Sequence, residues 1–305
     1  MSTLIFNEIT EKIIELLEKG SIPWRRPWKS NGPPRNLISK RQYRGINVFL
    51  LDLEGHASPY WLTPAQLERL QGEVRPGEKA AEAICWRWQQ KVEKVWNSRT
   101  NTQESRVVWV PWCWHHSLYN TDQCTGIDRY LPGMRKRKFT ALELCEKIVA
   151  GMPNKPRVET GESRAFYRPL FVRVNMPNSS LFDSSEEYYS TLFHELVHST
   201  GHISRLNRHR SMKSGFHHDD HDYSKEELVA EMGCAMLCAL TGIEGVTLAN
   251  SGAYIQAWLS RLQNDMKILF YASLEAQKAA DFILGKAVSR AQNKERNDTD
   301  DQSGT

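Results

Sequence analysis

The stretch LFHELVHSTGH, residues 192–202, holds His194 and His198 four positions apart with Glu195 between them. In an α-helix, positions i and i+4 lie above one another on one face, so both imidazoles can grip a single metal ion. Glu195 then stands beside a water on that metal. The stretch therefore offers two neutral nitrogen ligands, an open coordination position and a carboxylate able to take a proton. Ser184 and Glu187 stand ahead of it in capping-box relation, and Tyr189, Phe193, Leu196 and Val197 supply an apolar stripe at helical spacing. Gly201 is placed to end the helix. The same pattern also arises by chance on amphipathic helices, so a third ligand is needed.

Two carboxylates four apart, Glu227 and Glu231, fall on a later helical run. Both can face the first helix, one as ligand and the other orienting a histidine. Thermolysin-like metallopeptidases follow HExxH with ExxxD, the first acid binding the metal. Glu227-Leu-Val-Ala-Glu231 matches that pattern, with Glu in place of Asp at its end. Glu227 is assigned as ligand and Glu231 as the residue behind a histidine, the reverse remaining open. The HExxHxxGxxH alternative fails because Ser204 stands where its third histidine belongs, and His202 is displaced by two residues.

Outside this centre, the 305 residues suffice for two domains with separate cores, and 40% hydrophobic with 25% charged residues is the composition of a globular protein. No run approaches the roughly eighteen apolar residues of a membrane span. The first twenty residues lack a basic leader and cleavage site and read as an amphipathic helix. Six cysteines without CxxC pairs read as thiols, which points to a cytoplasmic protein with no membrane association. Charge is uneven: residues 1–140 carry 22 Lys/Arg against 14 Asp/Glu, and the remainder 18 against 22. Nine of ten tryptophans precede residue 115, whereas seven of ten histidines lie between 194 and 221. Two chemistries along the chain follow from this split.

Residues 21–51 hold Arg25, Arg26, Lys29, Arg35, Lys40, Arg41 and Arg44 with no acid, interleaved with Trp24, Trp28, Tyr43 and Phe49. Pro23, Pro27, Pro33 and Pro34 forbid a continuous helix. Single-stranded nucleic acid is bound in this way, cations tracking phosphates and aromatic faces stacking on bases at roughly 1–3 kcal/mol each. Trp24, Arg25, Arg26, Trp28, Arg41, Tyr43 and Arg44 are the candidate contacts. Tryptophans serving as core, with the cations as a solvated face, remain the alternative. Thr63 and Pro64 open a short helix, and strand-like runs follow at 83–89 and 106–116, giving a small α+β domain at 1–130. Adjacent His115 and His116 point opposite ways on a strand and make a poor metal pair. Residues 131–140 read as a linker and 141–291 as a second domain: a helix over 141–150, a strand over 166–175, the metal helix, a His- and Asp-rich loop over 207–223, and helices near 253–272 and 274–290. Residues 292–305 read as a disordered tail.

The motifs together resemble the ArdC family of plasmid antirestriction proteins and the N-terminal region of TraC-type conjugative primases. Pro23-Trp24, Pro27-Trp28, Asn36, Tyr43-Arg44-Gly45-Ile46-Asn47, Trp61-Leu62-Thr63, the 194–202 run, Arg205-Leu206-Asn207-Arg208 and the 223–231 run carry the likeness. It implies an α+β chain with an N-terminal domain that binds single-stranded DNA (ssDNA), followed by a zincin-like metallopeptidase domain. It also implies protection of incoming plasmid DNA during conjugation. A DNA-associated metalloprotease cleaving a restriction-related host protein, with Glu195 as general base, is the second hypothesis. Zinc is the default for two histidines and a carboxylate, and manganese is allowed by the same donors.

Overall fold

The computed structural model describes residues 2–25, 32–97, 102–132, 140–208, 221–243 and 252–286. Helix α1 (Ser2–Glu18) buries Ile5, Phe6, Ile9, Ile13 and Leu17 along one face, as its apolar spacing predicts. Strand β1 (Arg35–Asn36), helix α2 (Ile46–Leu53) and strand β2 (Tyr60–Leu62) lead to α3 (Pro64–Arg69). Thr63 caps α3 as read: its hydroxyl accepts Gln66 N, and the Gln66 side chain returns to Thr63 N. Pro64 sits where a backbone N–H has no helical partner.

Two long strands dominate the first half. β4 (Ala81–Asn97) and β5 (Thr102–Asn120) pair antiparallel without interruption from Ala81↔Leu118 to Asn97↔Thr102, extending both runs seen in the sequence. They join β1 and β2 in a four-stranded sheet of order β1-β2-β5-β4. A separate short pair, β3 (Glu73–Val74) with β6 (Cys124–Thr125), closes the end of this half.

The second half opens with α4 (Ala141–Gly151), capped reciprocally by Thr140 and Glu143. Strands β7 (Arg157–Thr160), β8 (Phe166–Arg168) and β9 (Arg173–Met176) form a sheet of order β7-β9-β8. The single strand expected over 166–175 is thus two. Pro169 has no N–H for a ladder and fixes a turn-like φ, so a 3-10 turn forms over Pro169–Phe171. Val172 then takes φ 51, and β9 runs back antiparallel to β8. Helices α5 (Ser185–Thr200), α6 (His221–Thr241), α7 (Gly252–Asn264) and α8 (Ile268–Ile283) complete the described chain. α6 begins inside the stretch read as a loop; residues 209–220 lie outside the described residues, as do the tail and most of the expected linker. The last two helices break earlier than read, at a turn where Asp265 Oδ1 accepts Lys267 N.

The expectation of a separate core for each half is corrected. One apolar cluster runs from α1, Trp24 and α2 through Ile84 and Cys113 to α4, α5, α6, α7 and α8. The reason lies in α2, where Ile46, Val48, Phe49, Leu50 and Leu51 are all buried. A helix apolar on so much of its circumference must be covered on more than one side, and α2 packs between β4 and α8. Two small clusters stay within the first half, around Leu62 with Ile127 and around Trp61 with Leu118. All six cysteines are free thiols.

The contact that places the site is α5 against α6. Gly233 of α6 faces Val197 of α5 so closely that an added Cβ would lie 2.9 Å from Val197 Cγ2. Val197 is β-branched, fully buried and next to His198, so it has little room to yield. Gly233→Ala is expected to push the helices apart and cost about 1–3 kcal/mol of stability, as overpacking does. A chemical denaturation midpoint equal to that of the parent chain would contradict this.

Candidate metal centre

Helix α5 is built to carry the two histidines. Ser184 Oγ accepts Glu187 N at 3.0 Å, while the Glu187 carboxylate reaches Asp183 N at 2.8 Å, one residue short of the full capping box read from the sequence. Gly201 ends the helix with a right-handed φ of −69°, its N–H returning to His198 O. Within α5, His194 and His198 turn their Nε2 atoms to one point, 3.1 Å apart. Glu227 of α6 meets them there, with Oε2 3.6 Å from His194 Nε2 and Oε1 3.4 Å from His198 Nε2.

These spacings fit a divalent ion. Tetrahedral donors about 2.0–2.1 Å from a metal stand roughly 3.3 Å from one another, and the three separations bracket that value. Among the described residues one other group of metal-ligating type gathers, Glu8, Glu82 and His115. It is more exposed, and the two ring nitrogens of His115 face separate carboxylates, Glu82 at 2.5 Å and Glu8 at 3.5 Å. His202 turns its Nδ1 to Ser204 Oγ at 2.8 Å.

A carboxylate also stands behind a histidine at a position the sequence reading did not name. Glu226 Oε1 lies 3.4 Å from His198 Nδ1. Glu231, assigned that position from its i+4 spacing, accepts the indole N–H of Trp24 at 2.7 Å. The His198 ring projects between two adjacent α6 positions, so Glu227 reaches one nitrogen and Glu226 the other. A pattern that sorts carboxylates by common face assigns Glu226 elsewhere.

Electrostatics bind the group together. Burial pulls His198 down, but the carboxylates of Glu227 and Glu226 override it and hold its pKa well above the ordinary 6.5. His194 is raised in the same way against its burial, chiefly by Glu227. Glu227 resists burial in turn and is held below its ordinary 4.5 by His198 and His194. Glu195 is buried, and its charge adds to that favouring both protonated imidazoles.

The basic stretch is anchored more than it is displayed. Trp24 is 3% exposed, packs edge-on against Trp258 and gives its N–H to Glu231, so its face is not open to a base. The core alternative therefore holds for Trp24, since an indole whose N–H finds a buried carboxylate is stable inside. Tyr43 is half-buried, burial pushing its hydroxyl up to about 12. Arg44 is exposed on one side yet pairs with buried Asp281 of α8. Arg41 is exposed. Arg26 and Trp28 lie outside the described residues, and Arg25 enters only as backbone. Unforeseen in the sequence, Arg35 and Lys40 both sit over the Tyr60 ring, at 6.0 and 5.4 Å from its centroid. Together they form a cationic patch over an aromatic face.

Residues 143–275 match the zincin-like metallopeptidase family, and residues 4–110 match the N-terminal domain of anti-restriction factor ArdC. Fold and site together thus define a zincin-like domain carried behind an ArdC-type N-terminal domain. The metal-free crystal structure of the antirestriction ArdC protein from plasmid R388 is 33% identical, with a TM-score of 0.70 over 91% of this chain and 96% of that one. Its Mn(II)-bound structure gives a TM-score of 0.68, at the same identity, over 94% and 99%. The chain belongs to the ArdC family of antirestriction proteins. It is also 32% identical to a DNA primase TraC of Escherichia coli over 298 residues, 91% of this chain, and 28% identical to the uncharacterised protein y4eC of Sinorhizobium fredii over 96% of each. The chain spans only 27% of that TraC protein's length. The zincin-like domain and the Mn(II)-bound relative support a divalent metal here, and no described helix is long and apolar enough to cross a membrane.

A pH dependence follows from the charges. Raised His198 contributes stability that is fully present below pH 6.5 and lost as pH rises through its folded value. Depressed Glu227 contributes above pH 4.5 and loses it as pH falls through its folded value. The metal-free chain is therefore expected to gain most from this pair between pH 4.5 and 6.5 and to weaken toward alkaline pH. Metal affinity runs the other way, rising with pH because bound imidazoles must give up their protons. Thermal melts with and without Mn(II) across that range check both slopes; parallel slopes would contradict the assignment.

Proposed function

We propose that this protein binds single-stranded DNA through its first half and protects incoming plasmid DNA from restriction during conjugation, in the cytoplasm of the recipient cell. The pair of Arg35 and Lys40 over Tyr60, with exposed Arg41 next to Lys40 in the chain, carries the reading, because cations beside an aromatic face suit phosphates and an unpaired base together. Arg44 contributes charge at the edge of this surface while fixing the segment to α8. The ArdC membership supplies the biological setting. In the second half His194, His198 and Glu227 hold a divalent ion, zinc by donor type or manganese by analogy with the R388 protein.

A second reading is favoured by the burial of Glu195 beside both histidines. A bound divalent ion supplies Lewis acidity toward a peptide carbonyl and a water. Glu195 is then the residue that takes a proton and hands it to the leaving amine, and the target is a restriction-related host protein.

Two measurements separate these readings. Fluorescence anisotropy of the full chain with a labelled single strand and the matching duplex, across a salt series, is expected to show single-strand preference that weakens steeply with salt. Lys40→Ala and Arg41→Ala should each lower affinity and flatten the salt slope by about one. Equal and negligible binding to both probes overturns the DNA reading. Glu195→Gln should keep both DNA binding and antirestriction; loss of antirestriction together with a vanished host-protein fragment would establish the protease instead.

A further inference from the structure

We propose that Arg208 is a positioning residue of the metal centre, acting through Glu226 on His198. The inference deepens the metal-binding reading above and rests on it.

The Arg208 side chain is 4% exposed and Glu226 6%. The guanidinium grips both carboxylate oxygens, Nε to Oε2 at 3.1 Å and Nη2 to Oε1 at 2.7 Å. Its remaining donors go to the last turn of α5: Nη1 to Thr200 Oγ1 at 2.7 Å and Nη2 to Val197 O at 3.0 Å. Those two acceptors flank His198 in sequence. Glu226 Oε1, already held by Arg208, is the oxygen that stands 3.4 Å from His198 Nδ1. One guanidinium thus joins the end of α5, the turn that follows it and α6, and it does so around the ring of a metal-ligating histidine.

Stability alone does not account for such a pair. Burying two charges is costly, and apolar side chains of like volume often pack as well or better. What an apolar pair cannot do is fix the rotation of an imidazole. With Glu226 on Nδ1, the ring of His198 is held with Nε2 toward His194 and Glu227, the nitrogen that the donor spacing requires. A planar fork holds both oxygens of Glu226 in one orientation, which a lysine ammonium does not. The sequence conceals this link, since position 208 lies beyond the end of α5 and carries no spacing signal relative to 226.

The test is Zn(II) and Mn(II) titration of the full chain against a chromophoric chelator. Arg208→Gln and Glu226→Gln are expected to weaken metal binding by about 10–100-fold, and Arg208→Lys by less. Each single change leaves a buried charge unpaired and is prone to unfold the chain, so the double variant Arg208→Gln/Glu226→Gln is included. It should melt near the parent when metal-free and still lose metal affinity. In Zn(II)-loaded wild type, long-range ¹H–¹⁵N spectra of the histidine rings should show His198 protonated at Nδ1 and metal-bound at Nε2. A folded double variant with affinity within about twofold of wild type, or metal on Nδ1, overturns the proposal. A wild-type chain that takes up no divalent ion overturns instead the metal-centre reading, and the proposal falls with it.

Discussion

Everything in the second half depends on how closely α6 approaches α5. Gly233 against Val197 removes a side chain from the crossing, and that brings the first turns of α6 within reach of the two imidazoles on α5. Three donors then share a space in which burial disfavours every charge. Their mutual attraction raises the pKa of both histidines and lowers that of Glu227 despite it. A buried ion pair of this kind is weak evidence for stability in itself. It is better understood as a site whose protons a divalent ion can displace.

The same helix ties the halves of the molecule together. Glu231, one turn beyond Glu227, takes the Trp24 indole, while α8 receives Arg44 on Asp281 and Gly45 N on Gln277. The basic segment is therefore fastened to the second half at three points, two of them through residues read as candidate nucleic-acid contacts. Among the described residues, Arg35 and Lys40 over Tyr60 add cationic charge beside that segment. A continuous apolar cluster beneath these contacts packs the two halves against each other.

Much of this was legible in the sequence because it rests on local periodicity. The i, i+4 histidines, the Thr63 cap and the apolar face of α1 each express a helix's own geometry. The position of Glu227 opposite the two histidines was legible for the same reason. The role of Glu226 was not, because it depends on where the His198 ring falls between two adjacent positions of another helix. Trp24 misled in a related way: a tryptophan among arginines reads as a stacking face, and only its long-range bond to Glu231 shows it buried. Pro169 was visible as a strand breaker, yet the alternation around it reads through the break until β8 and β9 are seen to pair.

We propose that two helices, through His194, His198 and Glu227, form one divalent-metal site, with Glu231 serving the junction to Trp24. Its most direct test is metal stoichiometry, by Mn(II) titration monitored by electron paramagnetic resonance, on the parent chain, Glu227→Gln and Glu231→Gln. One tightly bound ion is expected in the parent and in Glu231→Gln, whose amide can still accept the Trp24 indole, and loss of that ion in Glu227→Gln. Retention in Glu227→Gln with loss in Glu231→Gln would contradict it.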